Sequence, residues 1–276
     1  MNAHNAWVPR DHWLIPAERE TILSYYRDHR GRDEGYRRIT YMMLDADVVA
    51  VSPTSVYRVL TEAGVLRRWN RRPSKKGHGF HQPLAPHEHW HTDISHLRIT
   101  GTFFFLCTVL DGCSRFIVHW ELPAQMTERD VELTIQRGRE KFPHAKPRLI
   151  SDNGPQFIAK DFKEFIRLAE MTHVRTAPYY PQSNGKQERW YQSFKAEGWR
   201  PRVPATYADG LEVAAHYVEY YNTVRLHSAI GYVTPLTRIE GRQQAIFDAR
   251  DCKLDAARHR RAALRRSSND PHHPST

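Results

Sequence analysis

The first part of the chain carries hydrophobic residues at helical spacing in three short segments. The pattern predicts helices over the ranges 17–29, 36–44 and 54–63. The third has the clearest boundaries, because Ser52 is a suitable N-cap, Pro53 fits the first helical position and Gly64 follows the last turn. Val56 and Leu60 are four residues apart in this helix, so we expect them to share a buried stripe.

The opposite side of the third predicted helix is polar. The residues expected to face outward are Thr54, Ser55, Arg58 and Glu62. The short segment VVAVSP joins this helix to the second one, an arrangement typical of a helix-turn-helix, whose second helix enters the major groove of DNA. An ordinary three-helix packing module is the alternative, and the basic segment that follows favours DNA binding.

From Glu88 the pattern changes to short runs of β-branched and aromatic residues. It predicts strands over 89–99, 102–110 and 115–121, with Gly101 and Asp111-Gly112 in the hairpin turns. The elements expected next are helix 127–141, strand 148–151, helix 159–170, strand 173–175 and helix 184–197. The order βββαβαβα predicts an α/β fold with the layout of an RNase H-like domain.

Two breaks in the pattern divide the chain. The segment RRWNRRPSKK, Arg67 to Lys76, is basic and contains proline, and the stretch WRPRVPATY, Trp199 to Tyr207, is rich in proline. We therefore predict four regions, which are a helix-turn-helix-like DNA-binding module over 1–66, a basic linker over 67–86, the RNase H-like core over 87–200 and a helical C-terminal region with a basic tail over 201–276.

The formal net charge of the 276 residues is +10, and its distribution is uneven. Lys and Arg exceed Asp and Glu by 5 in residues 1–86 and by 4 in residues 241–276, but only by 1 between them. A near-neutral core with basic ends suits a catalytic domain whose extensions bind a polyanion, because Lys and Arg that neutralise phosphates release counterions. Solvated surfaces that only serve solubility are the alternative.

The composition argues against membrane-spanning, secreted and zinc-finger proteins. No apolar run approaches the roughly 20 residues that span a bilayer, and charged residues stand where a signal peptide would be apolar. We therefore expect a cytoplasmic protein. Three cysteines, Cys107, Cys113 and Cys252, include no CxxC pair, which disfavours a disulfide framework and a cysteine zinc site. His87, His89 and His91 alternate and would share one strand face, as metal ligands might. Because no cysteine and no residue that would orient the histidine rings is visible nearby, we interpret them as surface or DNA-facing residues.

Three acidic residues stand out in this layout, and each has a structural alternative. Asp93 lies mid-strand in WHTDIS, where an unpaired carboxylate is disfavoured unless it is an exposed edge residue. Asp152 follows the apolar strand end LIS, at the position where ligands gather in open α/β sheets, although it also suits a turn or a helix cap. Glu188 sits inside the last core helix and alone would be a solvated glutamate.

Carboxylates brought together in this way would suit divalent cations. Two cations about 3.5 to 4 Å apart can activate the attacking oxygen and stabilise the leaving oxygen of a phosphoryl displacement. At about 100° per residue, Asn184, Gln192 and Lys195 fall on the side of Glu188. Trp190, Tyr191 and Phe194 fall on another arc and are expected to pack. Lys195 would then contact a DNA phosphate, with a merely solvated lysine as the alternative.

Taken together, the motifs resemble a known family. Asp93 in WHTDIS, Asp152 in ISDNGPQF and Glu188 in NGKQERW, with 35 residues between the last two, resemble the DDE triad of bacterial transposases and retroviral integrases. In detail the chain is similar to the second-frame transposase protein of the insertion-sequence-three family. The similarity runs from Gly35 to Leu236 and includes GYRRITYMML, VSPTSVYRVLTEAGVL and YNTVRLHSAIGYVTP.

The resemblance implies an RNase H-like fold and a transposase that hydrolyses a phosphodiester at a transposon end. The freed 3′-hydroxyl would then attack a second phosphodiester during integration. It also implies two Mg²⁺ or Mn²⁺ ions on Asp93, Asp152 and Glu188. The partners expected are transposon-end and target DNA and further copies of the chain. The expected DNA contacts are Thr54, Ser55, Arg58, Arg67, Arg68, Arg71, Arg72, Asn184, Lys186 and Lys195, of which Lys195 matches a basic position of the family.

The chain also departs from its relatives. It shows no heptad segment like that of the family's first-frame protein, so we expect a fusion to that protein or a partnership with it. It lacks the His-His-Cys-Cys zinc module of retroviral integrases, and no zinc is predicted. The expected location is the bacterial cytoplasm, in association with the nucleoid. Two other functions remain open, a catalytically inactive DNA-binding regulator and an RNase H-type nuclease without strand transfer.

Overall fold

A computed structural model describes residues 13–29, 35–66, 82–175 and 185–268. The expectations placed on Arg67, Arg68, Arg71, Arg72 and Asn184 lie outside these residues. The strands are β1 (His89–Ile99), β2 (Thr102–Asp111), β3 (Ile117–Glu121), β4 (Arg148–Ser151) and β5 (Thr172–Arg175). The helices are α1 (Pro16–Asp28), α2 (Tyr36–Asp45), α3 (Pro53–Glu62), α4 (Glu128–Lys141), α5 (Pro155–Ile158), α6 (Lys160–Leu168), α7 (Gly185–Ser193), α8 (Tyr207–Thr223), α9 (Pro235–Ile239) and α10 (Gln243–Ser268). No helix in the described part of the chain is long and apolar enough to cross a membrane.

The chain divides into two compact units. The first contains residues 1–72 together with 243–276, and the second contains residues 73–242. The predicted region over 201–276 is divided between these units, because α8 and α9 lie in the second unit whereas α10 lies in the first. The sequence signal for a boundary at Trp199 was real, but it marks a loop within the second unit.

The first unit contains three helices close to the predicted positions, packed around an apolar core. Val56 and Leu60 are fully buried in that core, as the spacing predicted. The Ser52 side chain accepts a hydrogen bond from the Ser55 backbone N–H at 3.2 Å, and Pro53 occupies the first turn of α3. Gly64 has φ +67°, a left-handed conformation that suits the residue after a helix end.

The helix α10 completes the first unit through a polar face. Its ion pairs with the N-terminal helices and the loop after α2 are Arg250–Asp45 at 2.7 Å, Lys253–Asp47 at 2.8 Å and Arg261–Glu18 at 2.9 Å. Between them Ala257 is buried, and the side chains of Arg250 and Arg261 are each only 5% exposed. Part of the C-terminal positive charge that was expected to bind a polyanion is thus neutralised inside the protein.

The second unit is built on a five-stranded sheet with the order β3-β2-β1-β4-β5. The pairs β1–β2 and β2–β3 are antiparallel, whereas β1–β4 and β4–β5 are parallel. With the helices inserted between the strands, this is the RNase H-like α/β fold that the sequence predicted. The first hairpin closes through Thr100 and Gly101 with φ +44° and +89°, the left-handed pair that a tight turn between twisted strands favours.

Helices cover both faces of this sheet. Successive residues of β2 point to opposite faces, so Leu106 and Leu110 pack with α7 and α8 while Cys107 and Val109 pack with α4 and α6. Since α7 is held against β1 and β2 by this arrangement, residues of that helix come close to the middle of β1.

Three elements have a boundary that differs from the sequence prediction by more than one residue. The third strand begins at Ile117 because Arg115, with φ +66°, is still in the turn that follows Asp111. The helix predicted over 159–170 begins at Lys160 and is preceded by the separate turn α5. The last core helix changes from α to π geometry at Phe194 and continues to Trp199, two residues beyond the predicted end.

Candidate active site

Asp93 lies in the middle of β1, the central strand, opposite Thr108 of β2. Its Oδ1 accepts a hydrogen bond from the Ile94 backbone N–H at 2.9 Å. The pKa of Asp93 is raised from 3.8 to about 7. Burial is the main cause and the charges of Asp152 and Glu188 add to it, whereas the Ile94 hydrogen bond and Lys195 act in the opposite direction. The carboxyl group is thus held in a place where negative charge is costly without a cation.

Asp152 directly follows β4, which runs parallel to β1. Its Oδ1 accepts a hydrogen bond from the Gly154 backbone N–H at 2.9 Å, so it also serves as the turn residue that its sequence context suggested. A Cβ added at Gly154 would lie 3.1 Å from that oxygen, so the glycine lets the carboxylate stay close to the backbone. The turn interpretation of Asp152 is therefore confirmed by this hydrogen bond.

Glu188 is exposed on the first turn of α7, and its charge acts on Asp93. The fold therefore brings three carboxylates from β1, the end of β4 and α7 to one region. Among the described residues none of the three forms an ion pair. In that same part of the chain, no three His, Cys, Asp or Glu side chains are close enough together to hold a metal ion as placed. The fold thus places the three carboxylates in one region, but their side chains as placed do not form a complete set of metal ligands.

Lys195 lies on the π-helical turn after α7, within electrostatic reach of Asp93. Burial and the neighbouring Arg200 lower the pKa of Lys195, whereas Asp93 raises it. The change to π geometry leaves this lysine close enough to Asp93 for the two charges to interact.

Lys186 is placed differently from Lys195. Its Nζ donates a hydrogen bond to the Gly112 backbone carbonyl at 3.0 Å, at the turn after β2. Burial, together with Arg115, lowers the pKa of Lys186 to about 8. This lysine therefore links the first turn of α7 to the turn after β2 through a hydrogen bond, a contact that the sequence did not suggest.

The sequence also missed a polar contact on the packed face of α7. Trp190, Tyr191 and Phe194 are buried, as the helical angle predicted. In addition the Tyr191 hydroxyl donates a hydrogen bond to the Asp93 backbone carbonyl at 2.5 Å. Helical periodicity identifies the buried face but not the partner of a hydroxyl across the sheet, so no sequence signal pointed to this contact.

The α3 residues expected to read DNA lie in the other unit. Thr54 and Arg58 are exposed, as predicted, whereas Ser55 is half-buried and its hydroxyl lies 3.1 Å from that of Ser52. The expectation that His89 and His91 are surface or DNA-facing residues is wrong, because both are buried on β1. A Cβ at Gly112 would come within 2.9 Å of His91 Nε2, so the His91 ring fills the space beside the turn.

Comparison with known proteins identifies the family. Two models of the integrase core domain match the chain, over residues 83–181 and 169–235. The transposase for insertion sequence element IS904 of Lactococcus lactis subsp. lactis is 25% identical over 232 residues, which cover 78% of this chain and 90% of that protein. The transposase InsD for insertion element IS2 of Escherichia coli is 28% identical over 219 residues, 73% of this chain and 71% of that protein. The chain belongs to the DDE transposases of insertion sequences.

As a DDE transposase, the chain is an enzyme of the polynucleotidyl transferase type, with a function in DNA transposition. The predictions of family, fold class and enzyme class are confirmed. Among solved structures, the simian T-cell lymphotropic virus intasome in complex with PP2A regulatory subunit B56 gamma aligns with a TM-score of 0.49 and 16% identity, over 79% of this chain and 74% of that chain.

Proposed function

We propose that Asp93, Asp152 and Glu188 are the catalytic carboxylates of this transposase and that they hold two divalent cations, Mg²⁺ or Mn²⁺. The observation that carries this proposal is that the charges of Asp152 and Glu188 both act on the half-buried Asp93. The three carboxylates form no ion pair among the described residues, and carboxylate oxygens are the hard ligands that Mg²⁺ and Mn²⁺ prefer. Bound there, such ions would activate the attacking oxygen and stabilise the leaving one in a phosphoryl displacement.

The reaction that fits the site is hydrolysis of a phosphodiester at the end of the mobile element, followed by attack of the freed 3′-hydroxyl on target DNA. No covalent enzyme intermediate is required. Lys195 would hold a phosphate of the bound strand, because its ammonium group lies near the acidic residues while remaining half-exposed. Lys186, on the first turn of α7, and Asn184, which lies outside the described residues, are proposed as further contacts to the DNA backbone.

The N-terminal unit would select the DNA. The exposed side chains of α3, Thr54 and Arg58, with Ser55 beside them, are placed to read base edges if α3 enters the major groove. The proposed phosphate contacts are Arg67, Arg68, Arg71 and Arg72. This division assigns sequence preference to the helix and salt-dependent affinity to the arginine-rich segment.

The partners proposed are the element ends, the target DNA and further copies of the same chain assembled on that DNA. A first-frame protein, fused upstream or acting as a separate partner, is also proposed. Such an enzyme would work in the bacterial cytoplasm, at the nucleoid where its substrate lies.

The full-length protein, incubated with Mn²⁺ or Mg²⁺ and DNA carrying candidate element ends, tests this function. We expect divalent-dependent nicking at the end and, with target DNA present, a joined product. Nicking without joining would favour the RNase H-type nuclease. End binding without nicking in either metal would favour the inactive regulator.

A further inference from the structure

A buried chain of hydrogen bonds connects α7 to the catalytic strand. The Gln187 Nε2 group donates to Thr108 Oγ1, the Thr108 hydroxyl donates to Tyr191 Oη at 3.0 Å, and the Tyr191 hydroxyl donates to the Asp93 carbonyl at 2.5 Å. The Leu106 carbonyl lies 3.0 Å from the same phenol oxygen. Every side chain in the chain of bonds is buried.

The direction of these bonds is consistent from end to end. Each hydroxyl has a single proton, and each uses it toward the next acceptor, so the amide of Gln187 is the first donor and the backbone of Asp93 is the last acceptor. A buried chain of hydrogen bonds is stiff, because breaking any of these links leaves polar atoms without partners.

The positions of these residues relate the chain to the carboxylates. Thr108 is the β2 partner of Asp93 in the sheet register. Gln187 immediately precedes Glu188, and Tyr191 follows Glu188 by three residues. The buried side chains of Gln187 and Tyr191 thus lie on either side of the exposed Glu188 along the helix. A slide or rotation of α7 that moved Glu188 relative to Asp93 would have to break at least one of these bonds.

We propose that Gln187, Thr108 and Tyr191 are positioning residues that fix α7 on the sheet so that Glu188 and Asp93 can share a divalent cation. This inference rests on the proposed function of the three carboxylates. The aromatic cluster of Trp190, Phe194 and Tyr217 already packs α7 against the unit. The hydrogen-bonded chain therefore sets the position of α7 along and around its axis, whereas the aromatic cluster supplies the packing that holds the helix on the unit.

The test compares substitutions that remove one oxygen and preserve shape. Tyr191→Phe removes the central hydroxyl, and Thr108→Val removes the link between Gln187 and Tyr191. Tyr217→Phe is the matched control, because its buried hydroxyl, in the same aromatic cluster, bonds Glu197 at 3.1 Å and does not reach Asp93. Thr108→Ser keeps the hydroxyl and serves as the conservative variant.

Two measurements on the full-length protein are needed, Mn²⁺ affinity by calorimetry or electron paramagnetic resonance without DNA, and the Mn²⁺ concentration for half-maximal nicking. Tyr191→Phe and Thr108→Val should each lower the Mn²⁺ affinity about tenfold and raise the Mn²⁺ concentration for half-maximal nicking by a similar factor. Loss of groups that orient metal ligands commonly has an effect of this size. The double variant should be no worse than either single one, since both break the same chain. Thr108→Ser and Tyr217→Phe should match the wild type.

Each result bears on a different statement. Unchanged Mn²⁺ affinity in Tyr191→Phe, alongside lost affinity in Asp93→Asn, would overturn the positioning role and leave the proposed function intact. Equal weakening in Tyr191→Phe and Tyr217→Phe would also overturn it, because general loss of stability would then explain the effect. Wild-type Mn²⁺ affinity in Asp93→Asn would overturn the proposed metal site itself.

Discussion

Replacing Asp93 with asparagine should stabilise the metal-free protein, and more so as the pH rises. The pKa of this carboxyl is raised from 3.8 to about 7, so the folded state binds a proton that the unfolded state releases. Stability should therefore fall with rising pH between about 4 and 7, because the folded state holds more protons in that range. At 1.36 kcal/mol for each pKa unit, the wild-type carboxylate costs about 4 kcal/mol above pH 7 and about 1.5 kcal/mol at pH 5.

Asparagine has a similar shape and no charge to lose, so it escapes this cost. Urea unfolding in EDTA, followed by tryptophan fluorescence and circular dichroism, should show Asp93→Asn more stable than the wild type by a few kcal/mol at pH 8 and by clearly less at pH 5. The matched control is Asp251→Asn, at an exposed aspartate on α10, which should change little at either pH. An Asp93→Asn variant that is less stable than the wild type at pH 8, or equally affected at both pH values, would refute the reasoning.

Three further predictions follow from the same structure. Arg225→Met should cost about 3 to 5 kcal/mol in urea unfolding, because the Glu197 side chain, only 16% exposed, loses the guanidinium that it binds at 2.5 and 2.6 Å; adding Glu197→Gln should recover part of the loss. Lys195→Ala should weaken end-complex formation and flatten the salt dependence of end binding, because one phosphate contact is lost, whereas Lys195→Arg should lose little; equal loss in both would exclude a charge contact. Arg58→Ala should reduce the preference for end sequence over random DNA by about 1 to 3 kcal/mol, as measured by filter binding. Alanine at Arg67, Arg68, Arg71 and Arg72 should instead weaken binding to end DNA and to random DNA alike, and should flatten the dependence of binding affinity on salt concentration.

Local signals were sufficient to predict most elements of the fold. The N-cap at Ser52 and the tight turn at Gly101 depend on backbone chemistry that a few neighbouring residues determine. The carboxylates Asp93 and Asp152 were also predictable, because each interrupts or ends an apolar strand. Glu188 depended on its spacing from the other two, since an exposed helical glutamate has no signal of its own.

What could not be predicted depends on contacts between distant parts of the chain. The π-helical turn ends beside Gly198, where a Cβ would lie 2.7 Å from the Tyr217 ring, and Glu197 of that turn binds Arg225, 28 residues away. The packing of α10 onto the N-terminal helices joins residues more than 200 positions apart, through arginines that sequence alone assigns to the surface. Local periodicity carries no information on either contact.

The most direct test of the central claim is nicking of element-end DNA by Asp93→Asn, Asp152→Asn and Glu188→Gln, measured beside end binding in the same buffer with Mn²⁺. Each substitution removes a proposed metal ligand and preserves volume, so we expect end binding near the wild-type level and no detectable nicking or joining. Combining two substitutions should change nothing further, because the three carboxylates act as a unit. Near-normal nicking by any one of the three variants would contradict the assignment of that residue to the active site.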